Sequence, residues 1–171
     1  MIDSTLAFLQ AHNASELDVD DLTPADLPHI AWSGSTLHVE SVGRALKRVE
    51  RGEVEYLAVR SPEGWPVAIG GIDYAAHEGA GTLWQLVTHE GLRGHGIGTR
   101  LIAEAEQRIQ QRGLEWASLS VEVENLQAQA LYHRLGYEVS GQEEETWDAA
   151  DASGKIYTYH AHVDLMRKRL T

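Results

Sequence analysis

The chain is predicted to adopt an α/β (α+β) fold, and three observations lead there. Stretches with the two-residue alternation of strands and stretches with helical apolar spacing interleave along its 171 residues. A glycine-rich turn, Arg93-Gly94-His95-Gly96-Ile97-Gly98, links a strand to a helix. No repeat and no long linker divides the chain, so one domain over residues 1–171 is expected, long enough to bury a sizeable core.

Residues 3–12 read as a short helix. Thr23-Pro24-Ala25-Asp26 has the form of a capped helix start with proline at the first helical position, and a Trp-Ser-Gly-Ser loop follows at 32–35. A helix is predicted over 38–51, with Val39, Val42, Leu46 and Val49 on one face and Gly52 as its stop. Two strands, 54–60 and 67–74, flank a hairpin-like Pro62-Glu63-Gly64 turn. The stretch 84–88 is the strand ahead of the glycine turn. Ile97, Leu101, Ile102, Ala105 and Ile109 then recur at helical spacing up to Gly113. Residues 119–123 alternate as a half-buried strand, Asn125 is a plausible N-cap, and Ala128, Leu131, Tyr132 and Leu135 form a helical apolar stripe ended by Gly136. A strand begins at 137–140, and the last strand, 155–167, follows a Ser-Gly turn.

Composition removes several function classes. No run of apolar residues is long enough for a helical membrane span. Met1-Ile2-Asp3-Ser4 carries neither a basic region nor a cleavable apolar segment, so a cytoplasmic protein is expected. The absence of cysteine excludes a disulfide framework, a catalytic thiol and an acetyl-cysteine intermediate. The formal net charge is −12, with Asp18, Asp20 and Asp21 in one cluster and Glu143, Glu144 and Glu145 in another. Such a surface repels polyanions, so nucleic acid is not an expected partner and a cationic one is favoured. Trp32, Trp65, Trp84, Trp116 and Trp147 are not interleaved with basic residues, so they read as core or cleft walls and not as a base-stacking platform.

The glycine turn carries chemistry. Side-chain-free positions let backbone N–H groups approach a ligand closely. At a helix start those groups lack intrahelical partners and the dipole is positive, which suits phosphate. Thr99-Arg100 follows the last glycine where a P-loop requires Lys-Ser/Thr. Gly98 follows Gly96 by two residues where a dinucleotide fingerprint needs three. What fits is the Arg/Gln-x-x-Gly-x-Gly signature of the GNAT acetyltransferase superfamily, read as Arg93, Gly96 and Gly98. The run from Asn125 to Tyr137 also resembles that family's Asn…Ala…Leu-Tyr…Leu-Gly-Phe/Tyr segment, at a distance from Arg93 that suits one helix plus one strand. The resemblance covers residues 54–140 well and the ends loosely.

The resemblance implies a mixed, strongly bent sheet with helices on both faces, and acetyl-coenzyme A as co-substrate. It implies that the strand before the loop splays from its neighbour and offers the backbone of Leu86, Val87 and Thr88 to the pantetheine arm and thioester oxygen. The loop residues Arg93, Gly94, His95, Gly96, Ile97, Gly98 and Thr99, with Asn125, complete the implied cofactor set. Tyr132 falls at the family's general-acid position. A phenol with an unperturbed pKa of about 10 can protonate a departing thiolate at neutral pH. On their own, Tyr132 reads as a core aromatic and Asn125 as a cap.

The base is open. Some family members carry glutamate five residues before the asparagine, where this chain has Ser120. Glu122, on the same strand face, and His89 or Glu90, after the cofactor strand, are the candidates, along with a remote carboxylate acting through water. His160, His162 and Asp164 alternate on one face of the last strand. One strand rarely closes a tetrahedral site, so a polar outer face and no metal are expected there. The expected reaction is direct attack of a primary amine on the thioester. The expected acceptor is a small cation such as an aminoglycoside, polyamine or amino-acid derivative, read by residues 24–40 and 141–155. Alternatives are a peptide or protein N-terminal or lysine acetyltransferase, and a non-catalytic acyl-CoA-binding module. A homodimer is left open.

Overall fold

The computed structural model describes all 171 residues. Helix α1 (Ile2–Ala11) leads through a short 3-10 turn to strand β1 (Val19–Asp21). Helix α2 (Thr36–Val49) precedes an antiparallel run of β2 (Val54–Arg60), β3 (Pro66–Asp73) and β4 (Ala80–Thr88). Helix α3 (Ile97–Gln111), β5 (Trp116–Glu122) and α4 (Leu126–Arg134) follow, and the long strands β6 (Glu138–Ala150) and β7 (Ile156–Arg169) close the chain. The strands form one seven-stranded sheet in the order β1-β2-β3-β4-β5-β7-β6. Every neighbouring pair is antiparallel except β4 with β5. The mixed sheet with helices on both faces is therefore as the resemblance implied.

The helices form where apolar spacing and caps agree. In α2 the Ser35 hydroxyl accepts from the His38 N–H at 3.2 Å, Val42 and Leu46 are buried, and Val39 and Val49 pack beside them. In α3 all five residues of the apolar stripe are buried. In α4 the Asn125 carbonyl accepts from the Ala128 N–H at 3.2 Å. The core has two layers. Leu101, Ile102, Ala105 and Ile109 of α3 pack on Leu57, Val59, Ile72, Leu83, Ala117 and Leu119 of the sheet, with α1 and α4 at the margins. On the opposite face, Val42, Ala45 and Leu46 of α2 cover Val54, Tyr56, Ala58 and Ile69.

Three elements differ from the pattern reading. β1 is absent from it, because a strand of sequence Val-Asp-Asp carries no apolar alternation; its pairing to β2 and ion pairs hold it. The segment after Thr23 is a six-residue 3-10 helix, Pro24–His29, with Pro28 inside, where the missing N–H prevents a continuing α-helix. β6 runs to Ala150, paired with β7 throughout. It is an edge strand exposed on both faces, so its glutamate-rich sequence obscures the period.

Two of the three carboxylates at 18–21, Asp20 and Asp21, are ion-paired. Arg60 donates to Asp20 at 2.6 Å and to both oxygens of Asp26 at 2.7 and 3.0 Å. Arg108 donates to Asp21 at 2.6 Å and lies beside Glu104 and Glu55. Burial of Asp26 opposes its ionisation, but the Arg60 bonds and the Thr23 N–H outweigh that and lower its pKa. Asp26→Asn is expected to cost about 1–3 kcal/mol of stability at neutral pH. Since the folded pKa is depressed, the contribution is present above the unfolded value of about 3.9 and is lost as pH falls through the folded pKa. Urea unfolding should show wild type and variant converging in acid; an undiminished gap there would refute the pairing.

Candidate active site

β4 is the axis of the site. It pairs with β5 only at Ala80↔Trp116, Gly81↔Ala117 and Thr82↔Ser118. Beyond that the strands diverge, while β5 continues along β7 to Glu122. One edge of β4 past Thr82 therefore has no partner strand. The His89 N–H still donates to Val67 O on the β3 side at 2.8 Å. By strand alternation, the Thr88 and Leu86 amides then point into the splay.

A β-bulge divides this strand. Gly71 pairs with Trp84 and Ile69 with Val87, leaving Gln85 and Leu86 opposite Gly70 alone. Gln85 has φ of +55°, a conformation costing a non-glycine residue roughly 1–3 kcal/mol. Opposite it, a Cβ on Gly70 would crowd Leu86 Cδ2, so the glycine leaves that side chain its place. The extra residue re-phases the strand. Trp84 and Val87 both join the α2-side core, while Leu83 and Leu86 pack with the α3 side.

On the α3 side lies a cleft of about 480 Å³. Its wall contains Leu86, Val87, Thr88, Arg93, Gly94, Gly96, Ile97, Gly98, Thr99 and Asn125, all foreseen from sequence, together with Leu92, Gln127, Ala128 and Leu131, which were not. The last three occupy one side of α4, and the apolar stripe already carried that signal for two of them. Gly94 and Gly96 sit at φ +80° and +83°, the second as the N-cap of α3. Gly98 lies in the first turn with its missing Cβ facing Thr88 Oγ1 at 3.5 Å. The cleft floor is thus a helix start with free N–H groups and a positive dipole end, suited to a phosphate-bearing ligand. Arg93 is exposed at the loop entrance, its Nε 3.4 Å from Thr88 O. The His95 ring is absent from the wall; its Nδ1 turns back to the carbonyls of Leu92 and Arg93 at 3.2 and 3.0 Å.

Tyr132 lies on α4 against the core, edge-on to Tyr137 with ring centroids 6.1 Å apart. Burial raises its phenol pKa, so it holds its proton at neutral pH. Glu122 ends β5 on the face that carries Ser118 and Ser120. The neighbouring Glu122 carboxylate raises the pKa of the Tyr159 phenol. His89 is engaged elsewhere: its Nδ1 accepts from the Gly91 N–H at 3.1 Å and its ring packs on Trp32 at 5.2 Å. Glu90 is exposed in the same turn. On β7, His162 pairs with Glu144 at 2.9 Å and Asp164 accepts from Gln142 at 2.7 Å, so these side chains are occupied with β6.

On the α2 side a second cleft of about 790 Å³ opens. One wall is α2, with His38, Ser41 and Arg44; the floor is Leu83, Trp84, Gln85 and Ser120; the far wall is β6, with Glu145, Trp147 and Asp148. Burial lowers the pKa of His38, favouring its neutral form. Of the segments 24–40 and 141–155, His38 and the β6 wall line this cleft, together with Ser41, Arg44 and Gln85 from outside them. Their signal was their place on the α2 turn next to the buried stripe and just ahead of Leu86. The two clefts share β4 between them, residues 83–85 on one side and 86–88 on the other.

Comparison with known proteins agrees with this architecture. The sequence profile of the Acetyltransferase (GNAT) family matches residues 24–137, and the chain belongs to that family. It is an acetyl-coenzyme A-dependent acyltransferase by family. No curated protein sequence matches it. Among solved structures, it is similar to a provisionally assigned acyl-CoA N-acyltransferase of Klebsiella pneumoniae (25% identity, TM-score 0.62, 92% of this chain and 99% of that one). A chimeric spermidine N-acetyltransferase from Vibrio cholerae shares the fold at 16% identity and TM-score 0.69, over 90% and 95% of the chains. So does an N-acetyltransferase of Thermoplasma acidophilum in complex with coenzyme A, at 16% identity and TM-score 0.64, over 90% and 99%.

Proposed function

We propose that the whole chain, residues 1–171, acts as one domain transferring acetyl from acetyl-coenzyme A to a primary amine. The observation that carries this is the meeting of two clefts at the unpaired edge of β4, one floored by a helix start and one walled by acidic residues. The loop from Arg93 to Thr99, with Asn125, takes the pyrophosphate and pantetheine. The amine enters between α2 and β6. Its nitrogen bonds to the thioester carbonyl carbon, and the carbonyl oxygen gains negative charge against the N–H groups of Leu86 and Thr88. Preorganised donors of this kind are worth about 3–4 kcal/mol each. The C–S bond then breaks, and the departing thiolate takes its proton from the Tyr132 phenol. Glu122, directly or through water, removes the proton that the attacking nitrogen sheds.

The acceptor we propose is a small cation. Glu145 and Asp148 form the β6 wall and Glu122 stands on the same sheet face, whereas Arg44 is the one fixed cation in the cleft. The spermidine enzyme of similar fold supports that class. A ribosomal-protein-alanine N-acetyltransferase of Brucella melitensis has the same fold at 21% identity, so a peptide N-terminus is the second reading. Free thiol release with spermidine, an aminoglycoside, amino-acid derivatives and an alanine-initiated peptide tests both. Coenzyme binding without turnover on any of them would leave a binding module.

Gly98→Val should fold, because Gly98 is outside the left-handed region and its added Cβ meets only Thr88 Oγ1 at ordinary distance. It should nevertheless lower acetyl-coenzyme A affinity by about 10-fold or more by filling the cradle. Gly96→Val should lose affinity and also about 1–2 kcal/mol of stability through its positive φ. Calorimetry giving wild-type affinity for folded Gly98→Val would overturn the loop assignment.

Tyr132→Phe should retain acetyl-coenzyme A affinity within a few-fold while turnover drops about 10²-fold or more. Wild-type turnover, on an acceptor for which chemistry is limiting, would return the phenol to a packing role.

For a cationic acceptor, kcat/KM should fall as salt rises, because the attraction is screened over about 8 Å at physiological ionic strength. It should rise from about pH 6 to 8 as the amine loses its proton, Tyr132 staying protonated throughout. A matched neutral acceptor should show neither advantage nor salt dependence. Preference for the neutral amine would assign the acidic wall to solubility alone.

A further inference from the structure

We infer that Gln85 is a positioning residue, whose side-chain amide locks the β4 bulge and ties the acceptor-cleft helix to the backbone donors of the thioester. The inference rests on the transfer reading above and concerns a residue that touches neither cofactor phosphate nor reacting carbonyl. Gln85 is the only non-glycine residue of the chain with positive φ. It stands where the two clefts divide β4. Its amide is bonded at both ends. Oε1 accepts from the Tyr56 hydroxyl at 3.0 Å, and Nε2 donates to Ser41 Oγ on α2 at 3.0 Å.

Tyr56 is buried, and burial pushes its phenol pKa up, so its hydroxyl keeps the proton it donates to the amide oxygen. The NH₂ then serves Ser41. A turn that needed only the left-handed backbone would be served by glycine or asparagine. Neither reaches both partners: glycine has no side chain and asparagine is one methylene short. The consequence lies two residues on. The extra residue at 85 is what sends Leu86 toward the α3 side together with the cofactor cleft, and turns the Leu86 and Thr88 amides into the splay. Without the two amide bonds, the strained residue is free to relax toward regular pairing. That would rotate those donors out of line.

The test compares Gln85→Leu, Gln85→Gly and Ser41→Ala with wild type. Proton exchange of the His89 amide, bonded to Val67 across β3, reports the register beyond the bulge without any acceptor present. Steady-state kinetics report the donors. Gln85→Leu and Gln85→Gly should each lower kcat about 10-fold or more, with KM for acetyl-coenzyme A changed by less than about threefold. Exchange at His89 should quicken about 10-fold while α3 core amides are unaffected. Ser41→Ala, which removes one bond, should move both readouts the same way by about threefold. Wild-type kcat in Gln85→Gly would show that backbone conformation alone holds the bulge, and would overturn the proposal. So would unchanged His89 exchange in the Gln85 variants. Should Gln85→Leu fail to fold, Ser41→Ala decides: unchanged exchange at His89 in that variant overturns the proposal. A protein that acetylated no amine would refute the transfer reading, while the exchange measurement would still decide the role of Gln85.

Discussion

β4 and β5 are joined at Ala80, Gly81 and Thr82, and then part. Their divergence is the constraint on which the rest of the molecule depends. Backbone amides left without a strand partner in a folded interior are costly, and a sheet normally closes over them. Here the sheet is held open from both sides. β5 is committed to β7 through Glu122, and β4 is committed to β3 through His89. Neither strand can swing across to the other without breaking a ladder. In the transfer we propose, the open edge so produced is where the acyl-coenzyme A and the amine meet hydrogen-bond donors already in place, which is the condition for electrostatic stabilisation without reorganisation.

The two layers of core serve that opening differently. The α3 layer is the larger, and its buried stripe sets the helix start against Thr88 and the glycine loop. The α2 layer is smaller and covers only the first half of the sheet, and β6 forms the far wall of the cleft on that side. That strand is long and exposed on both faces. Acidic residues on such an edge strand discourage pairing with another strand.

Charge is used locally more than the total of −12 suggests. Asp20, Asp21 and Asp26 are joined to Arg60 and Arg108, and Asp73 accepts a bidentate pair of bonds from Arg48 at 2.9 and 3.0 Å. The Arg60 and Arg108 pairs fasten β1 and the Pro24–His29 turn to β2 and α3, and the Arg48 pair ties α2 to β3. Net charge therefore overstates the field in the cleft, and only the side chains on the correct sheet face count.

From sequence alone came the α/β order, the extents of β2 and β3 to within a residue, the buried stripe of α3, the cap at Asn125, and ten residues that line one cleft on the α3 side. These share a cause: each is written in local spacing, through period, cap or glycine. β1 was invisible because its stability comes from ion pairs with residues far along the chain. The length of β6 was invisible because an edge strand wet on both faces need not alternate. The α2-side cleft joins α2, β4, β5 and β6, and no local pattern encodes which of their residues face one another. The bulge at Gln85 faces the glycine at position 70 and has partners at positions 41 and 56. Only the tertiary structure could bring those together, because register across strands and the height of a helix over a sheet are set by packing and not by sequence distance.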